Sequence, residues 1–549
     1  MRRGQLVELG WKRPLQLGQN RAGLAETNES GWSDGIRRAR GDKQQDADSP
    51  GVRVRNGTDP SSFRSCYCGV TFVFSRRLFL RLLGVVYLIA FASLGVQMTG
   101  LVGSRGILPV ADFLARAHSA LGADAYRVLP TLLWVSSSDA VLVLLCWGGA
   151  ALSIALIFNV VPVVTAALLW MFYLSLTVAG QVFLEFQWDM LLLETGLLAC
   201  LYAPLRSAEA EPNPVVRWVL WGLCFKLTFL SGITKILSRD PAWAGWTAMN
   251  YHYWTQPIPT WTSWYAAQAP AAVQYWSVPT MLAIELVVPF AIFLPARFRK
   301  TRLVACALMI LLQVGIGATG NYGFFNLLTI ILYLTLLDDH TLGRRPIAQP
   351  RTSTPRPEPA AWRMTTSAAA VAIACLSVVA FVREMQITAG TPSQIARAWP
   401  GRVLEWVEPF RSINGYGLFR VMTTERPELV IEVSENGQDF KEWEFRWKPG
   451  DPRRRPAFVE PHMPRLDWQM WFAALDPFGA ERWLEPLARR LVDGEPAVVR
   501  LLGPSPLAGP STRLGAGRPR SVRIGYYDYR FTTRAERSQS GDWWVRTRK

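Results

Sequence analysis

The sequence predicts an α-helical polytopic membrane bundle of about nine spans followed by a β-rich mixed soluble domain. Three observations lead to it. Half of the 549 residues are hydrophobic and only 18% are charged, the balance of a membrane protein. The apolar residues gather in runs close to the roughly 20 residues that cross a bilayer. After Arg383 the runs give way to strand-like alternation.

Residues 1–69 read as a disordered basic arm, rich in Arg, Gly, Asp, Gln and Ser and without apolar periodicity. The first long apolar run starts only near Leu78, so this arm does not have the form of a signal peptide. Its sequons at Asn28 and Asn56 matter only if it enters a glycosylating lumen, and Cys66 and Cys68 form a lone C-x-C without a second ligand pair.

Residues 70–383 form the predicted transmembrane domain. Its apolar runs lie at 78–99, 133–158, 160–182, 189–205, 217–237, 278–296, 303–317, 324–337 and 366–382. The fourth, seventh and eighth are short enough to be re-entrant or half-helices. Arg76, Arg77 and Arg81 beside the first run place the amino terminus in the cytoplasm. Nine crossings then put residues 296–302 and Arg344, Arg345, Arg351, Arg356 and Arg363 on the same side, and the carboxy-terminal domain outside.

Residues 384–549 form the predicted outward-facing domain. Alternation on both sides of Asn436-Gly437 signals a β-hairpin, with Trp443, Phe445 and Trp447 on one face. Residues 498–502, 522–531 and 543–548 read as further strands, 481–494 as a helix stopped by Gly494, and 504–520 as a long loop. No cysteine follows Cys375, so this domain holds no disulfide.

Several stretches are chemically loaded. In "PHMPRLDWQMWFAAL" (461–475), Asp467 can cap a helix whose Trp468, Trp471, Phe472 and Leu475 share one face, which serves as domain core or as a contact surface. His462 lacks a neighbouring nucleophile, which favours a structural use. Asp189 and Glu194 interrupt an apolar run. A carboxylate at membrane depth needs an interface, a cavity or a cation, and Lys226 or Lys235 can supply the cation. Those two lysines are also the only plausible intramembrane bases, unless they simply tie helices together.

The Trp- and Tyr-dense stretch 238–266, with Asn250, His252 and Gln256, is either an interfacial belt or a loop docked on the outer domain. "TGNYGFFN" (319–326), with Asn321, is either a tight turn or a broken helix at a binding site. The net charge of +17 is spread among apolar segments, without a stacking platform for nucleic acid. No metal cluster, phosphate loop, nucleophile elbow or dinucleotide fingerprint occurs. Neither catalytic residues nor a cofactor are therefore assigned.

The blocks "QWDMLLLETG" (187–196), "SGITKILSRDPAWAGWTAMNYHYWTQPIP" (231–259), "TGNYGFFNLLTI" (319–330), "INGYGLFRVMTTERPELVIEVSENG" (413–437) and "PHMPRLDWQMWFAAL" (461–475) resemble the signature blocks of the lipase maturation factor family. The resemblance implies a polytopic membrane protein that helps exported lipases or related hydrolases fold and assemble. It would sit in the endoplasmic reticulum membrane of a eukaryote or the inner membrane of a bacterium, its outer domain lumenal or periplasmic. Carried over by motif, Tyr416, Arg426, Pro427, Glu428, Arg465, Asp467, Trp468, Gln469 and Trp471 become candidates for a client surface or for its scaffold. The membrane part is also distantly similar to the vitamin K-dependent gamma-carboxylase group. Two alternatives follow: a membrane enzyme using Lys226 or Lys235 as base, and a transporter built around residues 319–326.

Overall fold

A computed structural model describes residues 71–343, 357–391, 398–507 and 518–549. The predicted arm with its sequons and C-x-C pair, the arginines at 344–356 and most of the 504–520 loop lie outside the described residues.

The nine predicted apolar runs all fall on helices: α1 (Val73–Gly95), α2 (Asp139–Ile157), α3 (Pro162–Ala179), α4 (Gln187–Tyr202), α5 (Pro214–Leu237), α6 (Ala271–Leu286, extended by the 3₁₀ turn Val288–Phe293), α7 (Arg299–Ala318), α8 (Phe325–Leu334) and α9 (Ala360–Thr388). Seven of these are long and apolar enough, by length and composition, to cross a membrane, so the expected count of about nine spans is not confirmed. The two others are α4, 16 residues long and carrying Asp189 and Glu194, and α8, whose 10 residues begin only after the Gly-Asn turn. The seventh run is not short: α7 has 20 residues because its helix extends back through the charged start, Arg299 to Arg302.

The two ends of the bundle differ. At one end the Asp339 carboxylate accepts hydrogen bonds from the Thr71 hydroxyl and from the backbone N–H groups of Val73 and Ser75, holding the start of α1. There Arg76 donates to the Ala208 carbonyl and Arg299 faces Asp338. The opposite end, where α1 and α5 finish and α4 begins, receives the carboxy-terminal region.

That region contains α10 (Trp399–Val407), α11 (Arg465–Leu475), α12 (Pro477–Val492) and a four-stranded antiparallel sheet in the order β2-β1-β3-β4, where β1 is Pro427–Ser434, β2 Lys441–Trp443, β3 Ser521–Phe531 and β4 Trp544–Arg548. Pro427 opens β1, the strand position a proline tolerates. All of β1 is buried, where alternation alone predicts a half-buried strand. One hydrophobic core runs from Phe79, Tyr87 and Leu192 of the bundle to Leu429, Trp443 and Leu466 beside the sheet.

Four local expectations change. The hairpin closes through residues 435–440, with Val433 opposite Lys441, not through a two-residue turn. Asn436 Oδ1 instead accepts from the N–H groups of Gln438 and Asp439, and Gly437 takes the left-handed conformation, φ 79°. Phe445 leaves the ladder to bridge Leu502, and 498–502 is a helical turn with that single bridge, not a strand. The sheet is therefore small, and helices make up much of the domain predicted to be β-rich. Asp467 does not cap α11; Gln97, just past α1, does so from another element, its Oε1 accepting from the Arg465 N–H at 2.8 Å.

Candidate functional site

The loaded stretches converge on the seam between the bundle and the carboxy-terminal region, where four buried polar anchors join elements far apart in sequence. In the first, Arg465 at the start of α11 meets Asp189 in the first turn of α4 through both terminal guanidinium nitrogens, Nη2 at 2.8 Å from Oδ1. The hydroxyl of Tyr173 on α3 also donates to Asp189. A bidentate arginine suits this place, because each carboxylate oxygen keeps a partner after leaving water.

The second anchor lies deeper. Lys226 Nζ on α5 is 2.5 Å from Glu194 on α4, and the Tyr416 hydroxyl donates to the other oxygen of Glu194 at 2.7 Å. Asn414 adds backbone and side-chain donors to that oxygen, so residues 414–416 are held against the α4–α5 ion pair. Lys235 pairs with Glu285 on α6 at 2.9 Å rather than with Glu194. Each lysine considered as a base is thus occupied in an ion pair, and the enzyme alternative is not favoured.

The third anchor fixes the aromatic loop. Arg426 pairs with Glu428, whose other oxygen meets Lys448, and its guanidinium donates to the carbonyls of Trp254, Gln256 and Pro257. Trp471 donates to the Thr255 carbonyl at 2.8 Å, and Trp264 to the Thr532 carbonyl. Stretch 238–266 is therefore docked on the carboxy-terminal region, which resolves the choice between belt and docking loop. Gln256 and His252 turn inward to Tyr322, while Asn250 stays exposed.

The fourth anchor is Asn321. Its amide donates to the carbonyls of Ile258 and Ala457, and its Oδ1 accepts from the Val459 N–H at 2.8 Å. The Gly-Asn stretch is a turn that clamps the aromatic loop to the segment leading into α11. Beside it, the Tyr322 N–H donates to Glu460, a carboxyl that burial pushes up to about 7. His462 Nδ1 is 2.9 Å from the Ser93 hydroxyl, and burial, with Arg465 nearby, takes the ring down to about 4.

All nine motif residues are buried. Asp467 accepts from the N–H groups of Trp447 and Lys448, and burial pushes its carboxyl up to about 6. Trp468 meets Trp188 edge-on at 4.7 Å between centroids, and Phe186 stacks on Trp188. Gln469 lines a small cavity of about 30 Å³ beside these rings. Of the predicted aromatic face, Leu475 reaches the surface.

Sequence reasoning missed Asn414, Glu285, Lys448 and Gln97. The signal for Glu285 was legible, since it is a lone carboxylate inside an apolar run, as Asp189 is. Gln97 and Lys448 carry no such mark.

Membrane-length helices, a basic end and a carboxy-terminal region docked at the opposite end define a multi-pass membrane protein. The family description "Lipase maturation factor transmembrane domain" matches residues 74–344, and "Lipase maturation factor C-terminal domain" matches 412–549. The chain is 34% identical to Lipase maturation factor 2 of Gallus gallus over 574 aligned positions, covering 86% of this chain and 80% of that protein. It is 35% identical to Lipase maturation factor 2 of Homo sapiens, covering 86% and 81%, and 33% identical to Lipase maturation factor 1 of Bos taurus, covering 87% and 88%. No solved structure matches. The chain belongs to the lipase maturation factor family.

Proposed function

We propose that this chain is a membrane-anchored maturation factor that assists folding or assembly of exported lipases or related hydrolases. The observation that carries the reading is the two-part family match, which spans both the bundle and the carboxy-terminal region. The nine motif residues act as scaffold in this reading, because their side chains are spent on the four anchors and their surroundings. The client then meets exposed apolar side chains of the outer region, among them Leu475, Phe478 and Ile524.

The orientation has the arginine-rich end in the cytoplasm and the sheet in the lumen or periplasm. Arg76, Arg299 and Arg302 at the end opposite the sheet support it. The membrane is that of the endoplasmic reticulum in a eukaryote or the inner membrane in a bacterium.

The test is co-expression of the full chain with an exported lipase in cells lacking a maturation factor, reading secreted active dimer. A rise is expected; no rise with correctly inserted protein overturns the reading. Deleting 384–549 is a poor control, because the core continues into that region and the deletion would expose it.

A further inference from the structure

We propose that α10 and the following Phe410 form a lateral anchor that lies in the outer interface of the bilayer, with Trp399, Val403, Trp406 and Phe410 in contact with lipid. Trp399, Val403 and Trp406 follow at i, i+4 and i+7, one stripe of α10, and Phe410 ends the 3₁₀ turn Glu408–Phe410 that continues it; their exposures are 75%, 39%, 60% and 37%. So much apolar area on four neighbouring side chains is not left to water in a stable protein.

The other sides of the same helix fix its place. Leu404 is buried and packs with Val379 and Ala380 of α9, with Leu376 and Val407 beside them. On a third side Arg402 and Glu405 are exposed. One side to protein, one apolar side outward and one charged side is the distribution of a helix lying at a membrane surface, its apolar face sunk roughly 5–10 Å into the headgroup and acyl boundary.

The height agrees. The exposed apolar stripe of α9, Met364, Val371 and Val378, leads directly to the contact with Leu404. Just beyond it Arg383 pairs with Glu408 at 3.6 Å, where polar groups resume. The occupant of the stripe is thus continuous with the lipid that surrounds α9. After α10 the chain turns inward: Phe410 stacks on Trp170 of α3, Ser412 accepts from the Trp170 indole, and Asn414 reaches Glu194. The anchor therefore holds the entry of the segment that closes over the α4–α5 ion pair.

The experiment uses the full chain in lipid nanodiscs, with Cys66→Ser, Cys68→Ser and Cys375→Ser; Cys375 is the exposed thiol among the described residues, and Cys66 and Cys68 lie outside them. Single spin labels are placed by Val403→Cys and Trp406→Cys on the stripe and by Arg402→Cys and Glu405→Cys on the charged side. Collision with oxygen, which concentrates in lipid, is compared with collision with a water-soluble nickel chelate. Oxygen should dominate at 403 and 406 and nickel at 402 and 405. Nickel access at 403 and 406, or shielding from both reagents by a second copy or another protein, overturns the proposal. Unsubstituted protein gives a second reading through a photoactivatable diazirine phospholipid. Adducts on 399–410 are expected, and their absence while α9 peptides are labelled also overturns it.

Discussion

The Arg465–Asp189 pair shows what a single residue carries in this protein. Both groups are out of water; they bond each other and Tyr173, and Arg465 also reaches the Phe183 carbonyl at 3.4 Å. Removing one partner strands a charge, so Arg465→Ala is expected to cost about 3–5 kcal/mol, whereas Arg465→Met with Asp189→Leu recovers most of that loss. A double-mutant cycle on unfolding of the detergent-solubilised protein checks this, and additive single effects would contradict it. Asp467 makes a pH-dependent prediction. Its carboxyl titrates near 6 when folded against 3.8 in the ordinary state, so the folded chain keeps a proton that the unfolded chain has released. Its stability contribution is therefore full below about pH 4 and is lost as pH rises through 6. Asp467→Asn retains the oxygen that accepts from Trp447 and Lys448 and should flatten that part of the stability profile. An unchanged slope would remove Asp467 as its source.

At the scale of elements, close helix contacts rest on glycine. A Cβ on Gly149 of α2 would lie 2.4 Å from the Phe91 ring of α1, and one on Gly196 of α4 would lie 2.0 Å from the Tyr87 hydroxyl. Gly149→Val is thus expected to push α1 and α2 apart and destabilise the bundle by about 1–3 kcal/mol, read as a lower unfolding midpoint; an unchanged midpoint would mean the contact is looser than described. The elements themselves were largely legible in the sequence, because apolar length and periodicity are local signals. The helices at the nine runs, the strand ending at Phe531 and the closing strand at Trp544 all lie where pattern places them. Elements set by distant partners were not legible. Residues 498–502 have strand composition, but the chain at 496–499 turns helically against α12 and the short helix Met98–Val102.

The whole molecule explains why the candidate site was only half legible. Sequence singled out Asp189, Glu194, Lys226 and Asn321 by their unusual settings, and the family resemblance added Arg426 and Arg465, yet Asp189 and Arg465 stand 276 residues apart and nothing local names one as the partner of the other. Indole rings add a second ambiguity, since the same Trp-rich loop composition suits a lipid interface and a protein contact. The junction now separates two functional readings. If Lys226 only ties α4 to α5, Lys226→Met with Glu194→Gln, which keeps an acceptor for Tyr416 and Asn414, should preserve lipase maturation in the co-expression assay. Loss of activity in a well-folded double variant would return the lysine to the chemistry.

The most direct test of the central claim, a buried scaffold with the client on the exposed outer face, is site-specific photocrosslinking in native membranes with a co-expressed exported lipase. A photoreactive residue is placed at Phe478, 85% exposed, and in a separate variant at Trp468, 3% exposed. The account predicts lipase adducts from position 478 and from other exposed positions of the outer region, and none from 468. Lipase adducts from 468 alone, or from no outer position in a correctly inserted chain, would contradict it.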